Sequence, residues 1–119
     1  MDDTSHEPRL IEEVAAIGGQ LKIEIWDVDF QHALEGHPEV TLDRIRKALT
    51  YPLTVIKSLR SNRACLFYEL EAYDEATLET TYFCVVVGVT GAGKGKVETA
   101  YETTYIKKGE VIFKRGESK

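Results

Sequence analysis

The chain has 119 residues, a formal net charge of −5, and 43% hydrophobic and 29% charged residues. This composition is that of a globular protein and excludes a disordered or fibrous one. Its longest apolar run, residues 83–87, is far shorter than the roughly 18 residues of a membrane-spanning helix, and its acidic first residues are unlike a secretory signal. We therefore expect a single cytoplasmic domain over residues 1–119, with no membrane contact and with a mobile tail at residues 1–7.

The N-terminal part predicts a helix followed by a strand. Apolar side chains recur at three- and four-residue intervals over residues 8–17, which indicates a short helix that Gly18 and Gly19 would end. Residues 21–28 then alternate apolar and polar side chains, which is the period of a half-buried strand.

Two further helices are expected before the middle of the chain. Asp29 can cap a short helix over residues 30–35, and His37 lies at the break that a glycine and a proline make after it. Thr41 can cap a clearer helix over residues 42–49, whose apolar side chains fall on one face and whose basic side chains fall on the other.

The remaining half of the chain predicts strands. Five segments are rich in β-branched and aromatic residues: 53–59, 64–70, 81–89, 97–105 and 111–113. Residues 71–80 and 90–96 are polar or glycine-rich and are expected to be loops, and such short connections favour an antiparallel meander. The expected fold class is α+β, with N-terminal helices packed on a four- to five-stranded antiparallel sheet.

Residues 88–94 (GVTGAGK) follow an apolar strand much as a phosphate-binding loop would. That kind of loop requires Ser or Thr after its lysine and then a helix, but Gly95 follows Lys94 and the next residues are β-like. We therefore interpret this segment as a hairpin loop, in which Lys94 and Lys96 are free to contact an anion.

Neither the cysteines nor the histidines have the spacing of a metal site. Cys65 and Cys84 lack the close pairing of zinc or redox cysteines, and they would be nearly opposite each other if their two strands form a hairpin. His32 and His37 are five residues apart, whereas two ligands on one helical face need a spacing of three or four. We expect reduced thiols, no metal and no cofactor.

Charge is distributed unevenly along the chain. Residues 1–39 carry ten acidic and two basic side chains, whereas residues 40–70 carry two acidic and six basic ones. Affinity for long nucleic acid comes mainly from neutralised phosphates, so an acidic protein is a poor candidate for loose binding to it. A local cationic site in the basic middle segment remains compatible with this charge.

The cations Lys57, Arg60 and Arg63 flank the first predicted hairpin, and hydroxyl groups alternate along a later strand. The residues that carry these hydroxyls are Thr99, Tyr101, Thr103 and Tyr105. Alone, such hydroxyls are typical of a solvated sheet surface, and a single histidine is typical of a surface or helix-capping residue. A histidine, cations and hydroxyls together suggest a site for a phosphodiester.

The order of several short motifs resembles a known nuclease family. The motifs are HALEGHP at residues 32–38, Tyr51-Pro52, RACLFY at 63–68, YFCVVV at 82–87 and VETAYET at 97–103. Over residues 25–114 this order is similar to the phage-associated branch of the barnase/EndoU/colicin/RelE-like nuclease superfamily. The resemblance implies helices packed on an antiparallel sheet, and RNA, often transfer RNA, as the substrate.

The resemblance also implies roles for single residues. The helical histidine of the family corresponds to His37, with His32 as its rival, and the basic residue of the second strand corresponds to Arg63. The hydroxyl and aromatic residues of the penultimate strand correspond to Thr99 and Tyr101.

RNA carries its own nucleophile, the 2′-hydroxyl, so the protein needs to move protons and stabilise charge on the phosphate, without a metal. We expect His37 to act as the general base or acid and Arg63 to bind the phosphate. Supporting roles in substrate binding fall to Lys57, Arg60, Tyr68 and Thr103, with Tyr68 stacking on a base.

Two alternatives use the same fold differently. In the first, the domain is a non-catalytic module that binds a protein of a phage or mobile element, and its acidic N-terminal segment docks a basic partner. In the second, that segment shields the basic middle of a ribonuclease until a partner or substrate displaces it. A cognate inhibitor or antitoxin is a further expected kind of partner.

Overall fold

A computed structural model of the chain describes residues 10–61 and 63–116, and one seven-stranded sheet runs through this part. Its elements are, in chain order, β1 (Leu10–Ala16), β2 (Leu21–Trp26), α1 (Asp27–Gly36), α2 (Leu42–Thr50), β3 (Thr54–Ser58), β4 (Ala64–Asp74), β5 (Glu79–Gly91), β6 (Lys94–Thr103) and β7 (Gly109–Lys114). Across the sheet the strands follow the order β1-β2-β6-β5-β4-β3-β7. The tail predicted at residues 1–7 lies outside the described residues.

The expected fold class, helices packed on a four- to five-stranded antiparallel sheet, is wrong. The described chain is mostly sheet, a seven-stranded mixed sheet with two helices, in which β2 and β6 pair in parallel. Strands β3 to β6 do form an antiparallel meander, as their short connections predict. The other strands extend this meander at its edges: β2 and then β1 beyond β6, and β7 beyond β3.

The helix predicted over residues 8–17 is also wrong, because β1 occupies the described part of this segment and pairs with β2 in an antiparallel hairpin. Val14 and Ala16 point into the core and are 7% and 0% exposed. Gly18 and Gly19, with φ of 68° and 88°, make the hairpin turn instead of ending a helix. A four-residue spacing of apolar side chains fits one face of a strand as well as one face of a helix, and pairing with β2 decides between the two.

The helix predicted over residues 42–49 is confirmed as α2, with Thr41 as its cap. The Thr41 hydroxyl accepts a hydrogen bond from the backbone N–H of Arg44 at 3.1 Å. The apolar stripe of α2 is completely buried against the sheet, and it consists of Ile45, Ala48 and Leu49.

Helix α1 follows β2 without a loop and packs along β6. It begins at Asp27, earlier than predicted, so Asp29 lies in its first turn instead of capping it, with Oδ2 3.4 Å from Nζ of Lys96. Since β2 pairs with β6 only from Lys94 to Lys96, α1 accompanies the remaining length of β6. Neither helix has the length and apolar character that crossing a membrane requires.

The two faces of the sheet are covered differently. In β4, Cys65 and Phe67 belong to the main core beneath the helices, whereas the residues between and after them belong to a smaller cluster on the other face. The buried members of this smaller cluster are Ile56, Leu66, Tyr68 and Cys84. We call the face that bears it the open face.

One segment of the chain crosses the open face. In the sheet, β5, β4 and β3 separate β6 from β7, so residues 104–108, which join β6 to β7, pass over these three strands. Ile106 packs on the smaller cluster, and the backbone N–H of Lys107 donates a hydrogen bond to the phenol oxygen of Tyr68 at 3.1 Å. We call residues 104–108 the crossing segment.

Both loops expected in the second half of the chain are mostly strand. The β4–β5 hairpin leaves residues 75–78 as a turn within the expected loop at 71–80. The β5–β6 hairpin turns at Gly93, which has φ of 69° and lies within the expected loop at 90–96. Because β6 rather than a helix follows, the hairpin interpretation of the glycine-rich segment is confirmed.

The register of β4 and β5 separates the two cysteines. Cys65 pairs with Val87, whereas Cys84 pairs with Tyr68, so the cysteines are not opposite each other. Cys65 belongs to the main core and Cys84 to the open face, and both are buried free thiols.

Candidate active site

His37 lies where α1 ends, at the margin of the open face. Its backbone N–H donates to the carbonyl of Ala33 at 2.8 Å, which makes it the C-cap residue of the helix. Its ring centroid is 5.7 Å from that of Tyr101, with the two planes tilted by 37°. The His37 side chain is 45% exposed, so the imidazole contacts the protein and is still accessible to a substrate.

The carboxylate of Glu39 lies against the imidazole of His37. Nδ1 of His37 lies 3.4 Å from Oε2 of Glu39, and that oxygen also accepts the backbone N–H of Glu102 at 3.1 Å. Desolvation acts to raise the pKa of Glu39, but backbone N–H groups and electrostatic interactions with His37 and Arg44 lower it below its usual value. With Nδ1 engaged, Nε2 is the nitrogen left for a substrate.

Arg44 connects this part of the site to the sheet, and its guanidinium is engaged by the contacts that it makes there. Its guanidinium lies 2.7 Å from Glu102 and 2.9 Å from Glu71, and it stacks over the ring of Phe83 at 4.6 Å. Desolvation opposes the charged form, but the two carboxylates outweigh it and raise the pKa of Arg44. We therefore interpret Arg44 as a structural cation rather than a phosphate ligand.

Tyr101 belongs to a row of two phenol groups and one thiol across the open face. The register places Tyr68, Cys84 and Tyr101 side by side on β4, β5 and β6. Burial, followed by the neighbouring Cys84, raises the pKa of Tyr101, and burial raises the pKa of Cys84 to about 11. At neutral pH these groups keep their protons, so Tyr101 can donate a hydrogen bond and cannot serve as a base.

Thr99 and Thr103 share the open face with Tyr101. Thr99 pairs with Val86, and Thr103 pairs with Tyr82; both partners pack against the cluster of the open face. The Thr103 hydroxyl is within 3.4 Å of the backbone of Tyr105, so it contacts the crossing segment just after β6 ends. Tyr105 itself lies beyond the strand and is 61% exposed.

Three other residues expected to bind substrate are not placed to do so at this site. Tyr68 is 0% exposed and its hydroxyl is bonded to the crossing segment, so its ring is not accessible to a base. The side chain of His32 is 84% exposed, and its ion-pair partner is Glu35 at 3.8 Å. Lys57 pairs with Cys65 of the main core, which puts it on the helix-covered face.

Arg63 does not meet His37 in this fold. It precedes β4, and its carbonyl accepts the backbone N–H of Val89 at 2.6 Å. It lies five positions before Tyr68, so it is about 16 Å along the strand from the row of Tyr68 and Tyr101. Arg63 therefore marks the other end of the open face.

Two hollows occupy the open face between these ends. The first, of about 510 Å³, lies against the crossing segment and is lined by Arg60, Tyr105, Lys107 and Lys108 among others. The second, of about 470 Å³, is lined by Arg63, Lys96 and Glu98 among others. Of these, Glu98, Lys107 and Lys108 were not predicted as site residues, because their position depends on a bulge in β6 and on the path of the crossing segment.

Among the described residues, no group of three or more His, Cys, Asp or Glu side chains is arranged to hold a metal ion. Comparisons with protein-family models, curated proteins and solved structures find no match to this chain. The resemblance to the nuclease superfamily therefore stays a prediction from the sequence motifs.

Proposed function

We propose that this protein is a metal-independent endoribonuclease. The observation that carries the proposal is the contact between the accessible imidazole of His37 and the ring of Tyr101, 5.7 Å apart, beside an open face with a cation-lined hollow. This arrangement supplies a proton-transfer group, a hydrogen-bond donor and positive charge, and RNA cleavage needs all three. The proposed substrate is RNA, with transfer RNA as one candidate, and the proposed location is the cytoplasm.

In the proposed reaction, the 2′-oxygen of RNA forms a bond to phosphorus, the bond from phosphorus to the 5′-oxygen breaks, and a 2′,3′-cyclic phosphate remains. His37 takes the proton of the 2′-hydroxyl, and water supplies a proton to the departing 5′-oxygen. The phenol of Tyr101 donates a hydrogen bond to a phosphate oxygen as negative charge develops there. Thr99, the next residue of β6 on this face, positions the same phosphate.

The position of Arg63 changes the role that we propose for it. At about 16 Å from the row of Tyr101 along β4, it would bind a phosphate further along the RNA strand rather than the one that reacts. Lys107 is a better candidate for charge near the reaction, because its backbone contacts Tyr68 and its charge acts to lower the pKa of Cys84 in that row.

Cleavage of RNA in excess EDTA tests the proposal. We expect purified protein to leave a 2′,3′-cyclic phosphate under these conditions, and His37→Ala to slow the reaction by ~100-fold or more, as loss of a general base does. His32→Ala is the comparison variant, and we expect it to react at nearly the wild-type rate because its imidazole points to solvent. An unchanged rate for His37→Ala would refute the catalytic role of His37. Complete inactivity of the wild-type protein towards RNA would refute the function itself.

The non-catalytic interaction module remains the second proposal because of one feature, the far end of the β4–β5 hairpin. There Tyr73 and Leu78 are 54% and 74% exposed beside the acidic residues Asp74 and Glu75. Exposed apolar groups among carboxylates suit a basic protein partner such as an inhibitor. If the protein does not cleave RNA, a partner protein that binds the wild type in a pull-down should not bind the Tyr73→Ser/Leu78→Ser variant. Equal binding of the partner to both proteins would count against this module.

A further inference from the structure

The hollow against the crossing segment has the composition of a binding site for an anion. Its volume of about 510 Å³ is within the range of small-ligand pockets, which is about 300 to 1,000 Å³. Apolar side chains of Leu66 and Val86 form its floor, while Arg60, Lys107 and Lys108 surround it. Among the described residues that line it, none is acidic.

Among the described residues, no carboxylate neutralises the cations of this hollow. Within the described part of the chain, no carboxylate oxygen lies within 4.0 Å of the charged nitrogens of Arg60, Lys107 or Lys108. Arg44 and Arg115, by contrast, are each paired with a carboxylate at 3.3 Å or less. Three cations around one concave surface, none paired with a carboxylate of the described residues, attract an anionic ligand.

The walls of the hollow are held in place before any ligand arrives. The crossing segment is bonded to Tyr68 through the N–H of Lys107, and the chain then enters β7, where Gly109 pairs with Ser58. A Cβ on Gly109 would lie 2.3 Å from the carbonyl oxygen of Lys57, so the close approach of the two strands requires glycine here. On the opposite wall, the backbone N–H of Arg60 donates to the Ser58 hydroxyl at 3.1 Å.

The floor of the hollow is continuous with the candidate active site. Val86 pairs with Thr99, and Cys84, two residues along β5, pairs with Tyr101. That offset is about 7 Å along the strand, so a ligand in the hollow can extend to His37. Tyr105, 61% exposed at the rim, offers an aromatic ring on which a base can stack.

We infer that this hollow binds the nucleotide next to the cleaved bond of a single-stranded RNA, an inference that rests on the proposed function. The cations bind its phosphate, and its base lies between the apolar floor and the ring of Tyr105. A paired base could not enter, because in a duplex its Watson–Crick edge is paired and both of its faces are stacked on neighbouring bases. The inference thus names single-stranded RNA as the substrate class of the site.

Binding of a fluorescein-labelled 2′-O-methyl RNA octamer, which lacks the attacking hydroxyl, tests the inference by fluorescence anisotropy. We expect Lys107→Gln/Lys108→Gln to weaken binding by about 10-fold or more and to reduce the slope of log K against log salt by about 1.4, since each cation contributes about 0.7 on a single strand. The matched control is Lys22→Gln/Lys114→Gln, which removes the same charge from exposed positions on β2 and β7. Equal losses in both double variants would overturn the inference.

A cleavage assay on the same variants separates failure of the inference from failure of the proposed function. If the wild type cleaves RNA and Lys107→Gln/Lys108→Gln binds and cleaves RNA as well as the control variant, the hollow is not a nucleotide site. The ribonuclease proposal then stands without it. If the hollow variant loses binding selectively but the wild type cleaves nothing, the hollow binds single strands and the ribonuclease proposal fails. Unchanged thermal midpoints show that the substitutions left the fold intact. If a variant unfolds, Tyr105→Leu takes its place: it keeps a large apolar side chain, removes the aromatic ring and should also weaken binding.

Discussion

Glu39 links His37 to Glu102, the neighbour of Tyr101, although Glu39 and Tyr101 are 62 positions apart in the sequence. One oxygen of Glu39 lies 3.4 Å from the imidazole and accepts the N–H of Glu102, the neighbour of Tyr101, at 3.1 Å. The carboxylate therefore joins the end of α1 to the end of β6.

This link should make stability depend on pH in acid. The pKa of Glu39 is lower in the folded chain than its usual value of 4.5, so its ionised form contributes stability above that value, and the contribution is lost as the pH falls through the folded pKa. We expect the thermal midpoint of Glu39→Gln to be below that of the wild type at pH 7, and the difference to shrink below pH 4.5. The control is Glu13→Gln, which removes an exposed carboxylate of β1 that forms no ion pair among the described residues. If both variants show the same difference at every pH, the link to Glu39 is not a source of stability.

Tyr101→Phe tests the hydrogen bond that the proposed mechanism requires. The raised pKa keeps the phenol protonated, so in the proposed mechanism Tyr101 donates a hydrogen bond to the phosphate. A hydrogen bond to a charged group is worth about 1.5 to 3 kcal/mol. We expect kcat/KM to fall by about 10- to 100-fold, with the loss mainly in kcat. Tyr82→Phe removes a hydroxyl from the adjacent strand and should leave kcat/KM nearly unchanged. Equal rates for Tyr101→Phe and the wild type would remove the phenol from the mechanism.

Sequence patterns predicted the elements whose stability is local. Helix α2 has both a cap at Thr41 and an apolar stripe, and the aromatic and apolar run of β4 and the β-branched run of β5 favour strand. The helix predicted over residues 8–17 is wrong because the short apolar pattern there fits the period of a strand as well as that of a helix. Only pairing with β2 distinguishes the two. Seven strands instead of four or five result from such long-range pairing at both edges.

The candidate site was predicted to a similar extent. The types of residue at His37 and Tyr101, with the order of motifs, were enough to name a pair that the fold brings together. The register of β4 was not predictable, and it moves Arg63 to the other end of the open face. Lys107 could not be recognised at all, because its position depends on β7 pairing with β3 rather than with β6.

The pairing of β7 also explains why a carboxylate can be buried in β4. Glu69 is 4% exposed, and its side chain lies 3.3 Å from Arg115 just after β7 and 3.8 Å from Lys47 of α2. Arg115 is fixed in turn, since it donates to the carbonyl of Tyr51 at 3.1 Å and stacks on that ring at 4.2 Å. The buried carboxylate of Glu69 therefore holds the end of β7 in place through its ion pair with Arg115.

Removing both members of this pair should cost less than the sum of the two single removals. We expect Arg115→Gln to lower the free energy of unfolding by about 2 kcal/mol, because the buried carboxylate loses its closer cation. Lys47→Gln should cost less than about 1 kcal/mol, since that lysine is 60% exposed and more distant. In urea unfolding, Glu69→Gln/Arg115→Gln should be more stable than the sum of the two single changes implies, with a coupling of about 1 kcal/mol or more. Strict additivity would mean that β7 is held by its backbone pairing with β3 alone.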